Sequence, residues 1–161
     1  MKHILILATF VAITATGVRA ETPEEWVTLG TRVHGGFGTF IPLGIRIGED
    51  ALTRLRAQRR DVTVTYSTGG GAPCPCVADG IALATVASVG QGTPRLTAEP
   101  SRESAMGVAV IRDKKTGKGF RYTIPAAILP KLLAWNKGTA PLERFGLVMD
   151  APPEFEVEPT D

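Results

Sequence analysis

The stretch Asp61–Ser67, DVTVTYS, alternates β-branched residues with a period of two and reads as a strand. It lies between two runs that carry the other period. After Pro42, the apolar residues Leu43, Ile47, Ala51, Leu52 and Leu55 recur at helical spacing to near Arg59, with Gly44 and Gly48 permitting close approach of another backbone. From Val77 to about Val89 the residues are small and apolar, VADGIALATVASV, as in a buried helix. A strand needs a sheet and each helix needs an apolar partner, so this order constrains the chain to packed layers.

Further elements follow the same logic. Thr22 as N-cap, Pro23 at the first helical position and Glu25 at the capping-box position predict a short helix to about Leu29. The stretch HGGFGTF, 34–40, is too rich in glycine for regular structure and reads as a loop. Strands are predicted over 94–99, 105–112 and 118–124, with the turn DKKTGKG joining the last two as a hairpin. PAAILPKLLAW, 125–135, reads as a helix kinked at Pro130. The fold class is α+β in two layers: a four-stranded mixed sheet with helices on one face, ordered helix, strand, helix, three-strand meander and final helix.

Residues 1–20 have a basic start, an apolar run from Ile4 to about Val18 and the small-residue ending Val-Arg-Ala. The run is too short to span a bilayer and suits a cleaved secretory leader, so a periplasmic or secreted protein without a stable membrane anchor is expected. Residues 21–140 then form one domain, and residues 141–161 an acidic, proline-rich tail that is extended or disordered. Loss of Lys2 and Arg19 with the leader leaves sixteen basic residues against sixteen acidic ones. A chain near neutrality, whose one basic run is RLRAQRR at 54–60, gives no nucleic-acid footprint. The glycine-bearing helix and the apolar third helix offer faces for self-association.

Chemistry concentrates on few residues. His34 is the only histidine beyond the leader, and Cys74 and Cys76 are the only cysteines. On an extended segment positions 74 and 76 point to one side, so two thiolates can converge on a zinc, copper or iron ion. A four-ligand structural site cannot be filled from His34, Cys74 and Cys76. A three-ligand site, open or completed by Asp79 or water, can. The same two residues can instead form a Cys-Pro-Cys disulfide with redox activity, aided by the amino-terminal end of the following helix, or serve packing alone. Asp79 can cap that helix or orient His34. No C-x-x-C-H occurs for covalent haem, while non-covalent haem on a Cys-Pro thiolate remains an alternative. No serine has a histidine partner other than His34, and no carboxylate pair stands out, so a stand-alone hydrolase is not supported.

Two segments resemble the amino-terminal domain of the FmdE family of formylmethanofuran dehydrogenase proteins. VHGGFGTFIPLGIRIG, 33–48, is similar to that family's first motif through His34, Gly35, Gly44, Arg46 and Gly48. CVADGIALATVASVGQG, 76–92, is similar to its second through Cys76, Asp79, Ile81, Thr85, Gly90 and Gly92. The resemblance spans about residues 24–135 and implies a metal-binding α+β scaffold, commonly with zinc, in which His34 and Cys76 are ligands. Gly36, Gly38 and Ala87 stand where the family has a histidine and two cysteines, and Cys74 has no regular counterpart. The combined expectation is an exported binding or delivery module for a metal or metal cofactor, using His34, Cys74, Cys76 and Asp79. Thiol–disulfide chemistry and haem binding are the alternatives.

Overall fold

The computed structural model describes residues 20–101 and 104–161, with the side chains of residues 98–101 left aside. The leader expected over residues 1–20 lies outside the described residues apart from Ala20. Among the described residues no helix is long and apolar enough to cross a membrane.

Helix α1, Pro23–His34, starts as its sequence requires: Thr22 Oγ1 accepts from the Glu25 amide and Glu25 Oε2 accepts from the Thr22 amide. It runs five residues past the predicted end, to a left-handed Gly35 with φ 83° whose N–H bonds to the Thr31 carbonyl. Gly30 inside it breaks nothing, because the Phe37 ring packs where a side chain would sit. His34 is therefore the last helical residue, not a loop residue.

Helix α2, Phe40–Leu55, begins two residues before Pro42. A proline in the first turn forfeits no helical hydrogen bond, so it does not delay the start. The helix ends at a left-handed Arg56, short of the predicted Arg59. Strand β1, Val62–Gly69, buries Val62, Val64 and Tyr66. Helix α3 is Cys76–Thr85, stopped by a left-handed Val86 before the expected Val89, and Val89–Gln91 form a single 3₁₀ turn.

Strands β2, Pro94–Ser101, β3, Ala105–Asp113, and β4, Gly119–Pro125, agree with the predicted positions. The β3–β4 hairpin is closed by Asp113, whose Oδ1 accepts from the Lys115 and Thr116 amides, and by Gly117 at φ 73°. These amide donors hold the Asp113 carboxyl below its usual range.

Three expectations are corrected. First, β2, β3 and β4 are not a meander: the sheet order is β2-β1-β3-β4-β5. The α3 crossover returns the chain parallel to β1, with Val64 opposite Pro94, so β1 lies between β2 and β3. Second, Pro130 does not kink a long helix. A 3₁₀ turn at Ala126–Ile128 precedes helix α4, Leu129–Asn136, and Pro130 sits in the first turn of α4.

Third, residues 141–161 are built into the fold as helix α5, Pro141–Asp150, and strand β5, Glu156–Thr160, so the sheet has five strands. Phe145 and Val148 bury the inner face of α5. Strand β5 pairs antiparallel with β4, and Phe155 meets Tyr122 edge to face at 5.5 Å. Arg46 ties this end down by donating to the Val148 carbonyl at 2.8 Å and the Pro152 carbonyl at 3.4 Å.

The inward sheet residues Val62, Val64, Tyr66, Ala109, Ile111, Tyr122 and Ile124 form one cluster with the buried faces of α1, α2 and α3. The tightest joint is α2 on α3. A Cβ on Gly44 would lie 2.1 Å from the Val77 carbonyl oxygen, and one on Gly80 2.1 Å from that of Ile41. Only glycine allows these backbones to touch.

Candidate functional site

The predicted site residues fall on two elements and the segment between β1 and α3. His34 closes α1, and Asp79 lies in the first turn of α3. His34 Nδ1 is 2.7 Å from Asp79 Oδ2. A carboxylate can only accept, so the proton belongs on Nδ1 and the Nε2 lone pair is left over. Both side chains are partly open to solvent, at 31% and 43%. The Gly35 C-cap turns the chain away directly after the histidine, so the imidazole hangs at the end of the helix.

Cys74 and Cys76 are joined as a disulfide, with their Cα atoms 5.3 Å apart. Cys74 is half-buried on the segment that follows β1 and leads into α3. Cys76 is the first residue of α3 and only 8% exposed, packed in the main cluster. Pro75 precedes it without a side-chain cap for the helix. Cys76 and Asp79 are three apart on α3 and share a face one turn from each other.

The structure thus brings His34 to Asp79 and Cys74 to Cys76. It does not gather all four: among the described residues there is no group of three or more His, Cys, Asp or Glu able to hold a metal ion. A disulfide sulfur carries no thiolate charge, so the oxidised chain offers one imidazole and one carboxylate already bonded to each other. This form does not fit a transition metal; reduction would add two thiolates.

The loop after His34 is braced from the far end of the sequence. Thr39 N–H donates to Asn136 Oδ1 at 3.0 Å and Thr39 Oγ1 to the Leu132 carbonyl at 3.0 Å. Arg144 donates to the carbonyls of Phe37 at 3.1 Å, Asn136 at 3.1 Å and Thr139 at 2.7 Å. Asn136 and Arg144 were not among the predicted site residues. The sequence signal for Arg144 was present, because Pro141 followed by Phe145, Val148 and Met149 has a helix start and helical spacing.

A shallow surface pocket of about 540 Å³ lies elsewhere, at the start of α1, lined by Ala20, Glu21, Glu24, Glu25, Thr28 and Leu29. It is lined by neither His34, at the other end of α1, nor Asp79 nor the cysteines.

The family model described as FmdE, Molybdenum formylmethanofuran dehydrogenase operon, matches residues 33–144. No curated protein matches the chain. The matched span starts one residue before His34 and ends on Arg144, so it takes in both the histidine and the arginine that braces its loop.

Proposed function

The chain belongs to the FmdE family, and on that premise we propose that it is an exported metal-binding module, with its site opened by reduction of Cys74–Cys76. Its ligands are His34 Nε2 and the two released thiolates, and Asp79 orients the imidazole. The observation that carries this reading is the 2.7 Å contact between His34 Nδ1 and Asp79 Oδ2. Metal-binding histidines commonly give their second ring N–H to a carboxylate, which sets the tautomer and raises the basicity of the ligating nitrogen. Two thiolates and an imidazole suit zinc first, and copper or iron next. The family description points to the operon of a molybdenum enzyme; only its metal-related theme is carried over, as a role in holding or delivering a metal or metal cofactor.

The test is elemental analysis with a free-thiol count on mature protein, prepared without added metal or chelator, in its oxidised and its reduced form. Reduced protein is expected to retain about one equivalent of metal per chain, and the oxidised form none. His34→Ala should remove retention from the reduced form. Reduced protein that takes up no zinc, copper or iron would overturn the reading, and a Soret absorbance would replace it with haem binding.

A second reading, thiol–disulfide exchange, is favoured by the Cys74–Cys76 bond itself. It needs no histidine, so His34→Ala should leave it intact.

A further inference from the structure

One face of the sheet carries the helices, and the other is bare. Val108 and Val110 of β3 are half-buried, yet they belong neither to the core cluster nor to the side chains packed against it. They point away from the helices, alternating with the inward Ala109 and Ile111. The strand register fixes what stands beside them. One row across the sheet runs Arg95, Thr65, Val110, Arg121, Glu158, and the next runs Thr97, Ser67, Val108, Thr123, Glu156. Two contacts show that these side chains share a face: Ser67 Oγ lies 2.5 Å from Thr97 Oγ1, and Arg121 Nε lies 3.4 Å from Glu158 Oε1. The face is thus basic at its β2 edge and acidic at its β5 edge, and apart from Arg121 the side chains between are short. Among the described residues neither Arg95 nor Glu156 has an ion-pair partner.

A face of this kind repels any uniformly charged surface at one edge, but it is complementary to itself turned over. A two-fold axis running along β3 lays the face of one copy on that of another, with β3 over β3 and β2 over the partner's β5. Val108 and Val110 then meet their own copies at the centre. Arg95 stands over the partner's Glu158, one row from the partner's Glu156, and symmetry makes the contact twice. Packed sheets lie ~10 Å apart and cross at about 30°, which moves the edges by about 5 Å, within reach of arginine and glutamate side chains. We propose that the open sheet face is the interface of a symmetric homodimer, centred on Val108 and Val110 and closed at each end by Arg95 and the partner's Glu158. The glycine-bearing face of α2 is not available for this role, because Gly44 and Gly48 are packed against α3. The inference is independent of the metal reading: His34 and Asp79 stand on helices that cover the opposite face.

Strand spacing and rise give a footprint of roughly 400 Å² per copy. That is small for a specific interface, so a Kd of about 10–100 μM is expected. Sedimentation velocity of the mature protein from about 1 to about 500 μM brackets that range. Wild type is expected to pass from monomer to dimer, less readily as salt rises. Arg95→Glu, and separately Glu156→Lys combined with Glu158→Lys, should each raise the Kd at least about tenfold, because like charges then face each other. An equimolar mixture of these two variants should dimerise again, since one copy is then acidic at both edges and the other basic at both. Chains that had failed to fold could not be rescued by mixing. Val110→Lys, at the centre, should weaken the dimer without any such rescue. A dimer indifferent to Arg95→Glu and Val110→Lys, or a mixture no more associated than its components, would overturn the proposal. So would a chain still monomeric at the highest concentration, which would leave the face to a different protein.

Discussion

Gly44 and Gly80 meet with no side chain between them: a Cβ on either would lie 2.9 Å from the other's Cα and 2.1 Å from a carbonyl oxygen of the facing helix. This contact sets the separation of α2 and α3, and through α3 it sets where Cys76 and Asp79 stand. Gly44→Ala and Gly80→Ala are each expected to cost at least about 3 kcal/mol, above the usual overpacking range because the obstructing atoms are backbone. Gly36→Ala, with nothing within 4 Å, should be near neutral. Urea unfolding of the three variants checks the contrast.

Two buried tyrosines give opposite expectations for the same substitution. Tyr122 donates its hydroxyl to Asp50 Oδ2 at 2.7 Å, whereas the Tyr66 hydroxyl is buried beside Gly107 without a hydrogen-bond partner, and burial pushes its pKa up to about 12. Tyr122→Phe should destabilise by about 1–2 kcal/mol, while Tyr66→Phe should be neutral or stabilising by up to about 1 kcal/mol. Thermal unfolding of both variants decides; a large loss for Tyr66→Phe would show that its hydroxyl is satisfied after all.

Arg144 should act on the His34 loop from a distance of 107 residues in sequence to Phe37. Its guanidinium satisfies three carbonyls, and charged donors contribute about 1.5–3 kcal/mol. Arg144→Ala is expected to lose about that much and to speed amide hydrogen exchange over residues 36–39. Exchange that stays slow there would remove Arg144 from the bracing role.

Asp79→Asn separates site from stability. The His34–Asp79 pair is partly exposed on both sides, so the substitution should change unfolding free energy by less than about 1 kcal/mol. Metal retention by the reduced protein should nevertheless fall about 10- to 100-fold, as for loss of the carboxylate behind a ligating histidine. Competition with a chromophoric chelator measures the affinity, and an unchanged value would take Asp79 out of the site.

The Glu21–Arg59 pair predicts a pH effect. Both Glu21 oxygens accept from the Arg59 guanidinium, which also stacks over Trp26 at 5.6 Å. The Arg59 hydrogen bonds hold the Glu21 carboxyl below its ordinary value. Its folded pKa being the lower one, the stabilisation is present above the ordinary glutamate range and is lost as pH falls through the depressed value. Glu21→Gln should therefore lower the melting temperature at neutral pH and converge on wild type in acid. A parallel offset at every pH would exclude this linkage.

Local chemistry was legible where it was local. The capping box of Thr22 and Glu25, the alternation of β1, the Asp113 turn and the Gly44/Gly48 face all depend on residues a few positions apart, and each has its predicted structure. Element ends were less so, because left-handed residues such as Arg56 and Val86 terminate helices without a glycine to announce them. The family motifs singled out His34, Cys76 and Asp79, and the structure puts the first and last in contact.

What the sequence determined by itself was the set of elements and the few residues able to carry chemistry, since periodicity, caps and turn residues act within a handful of positions. The tertiary structure decided the rest. It placed β1 between β2 and β3, recruited β5 from what reads as an acidic tail, and brought Arg144 under the His34 loop. It also joined Cys74 to Cys76 while leaving His34 with Asp79. The physical reason is that strand pairing and side-chain partnership between distant segments follow from which faces are buried together, and no stretch of sequence carries that information alone.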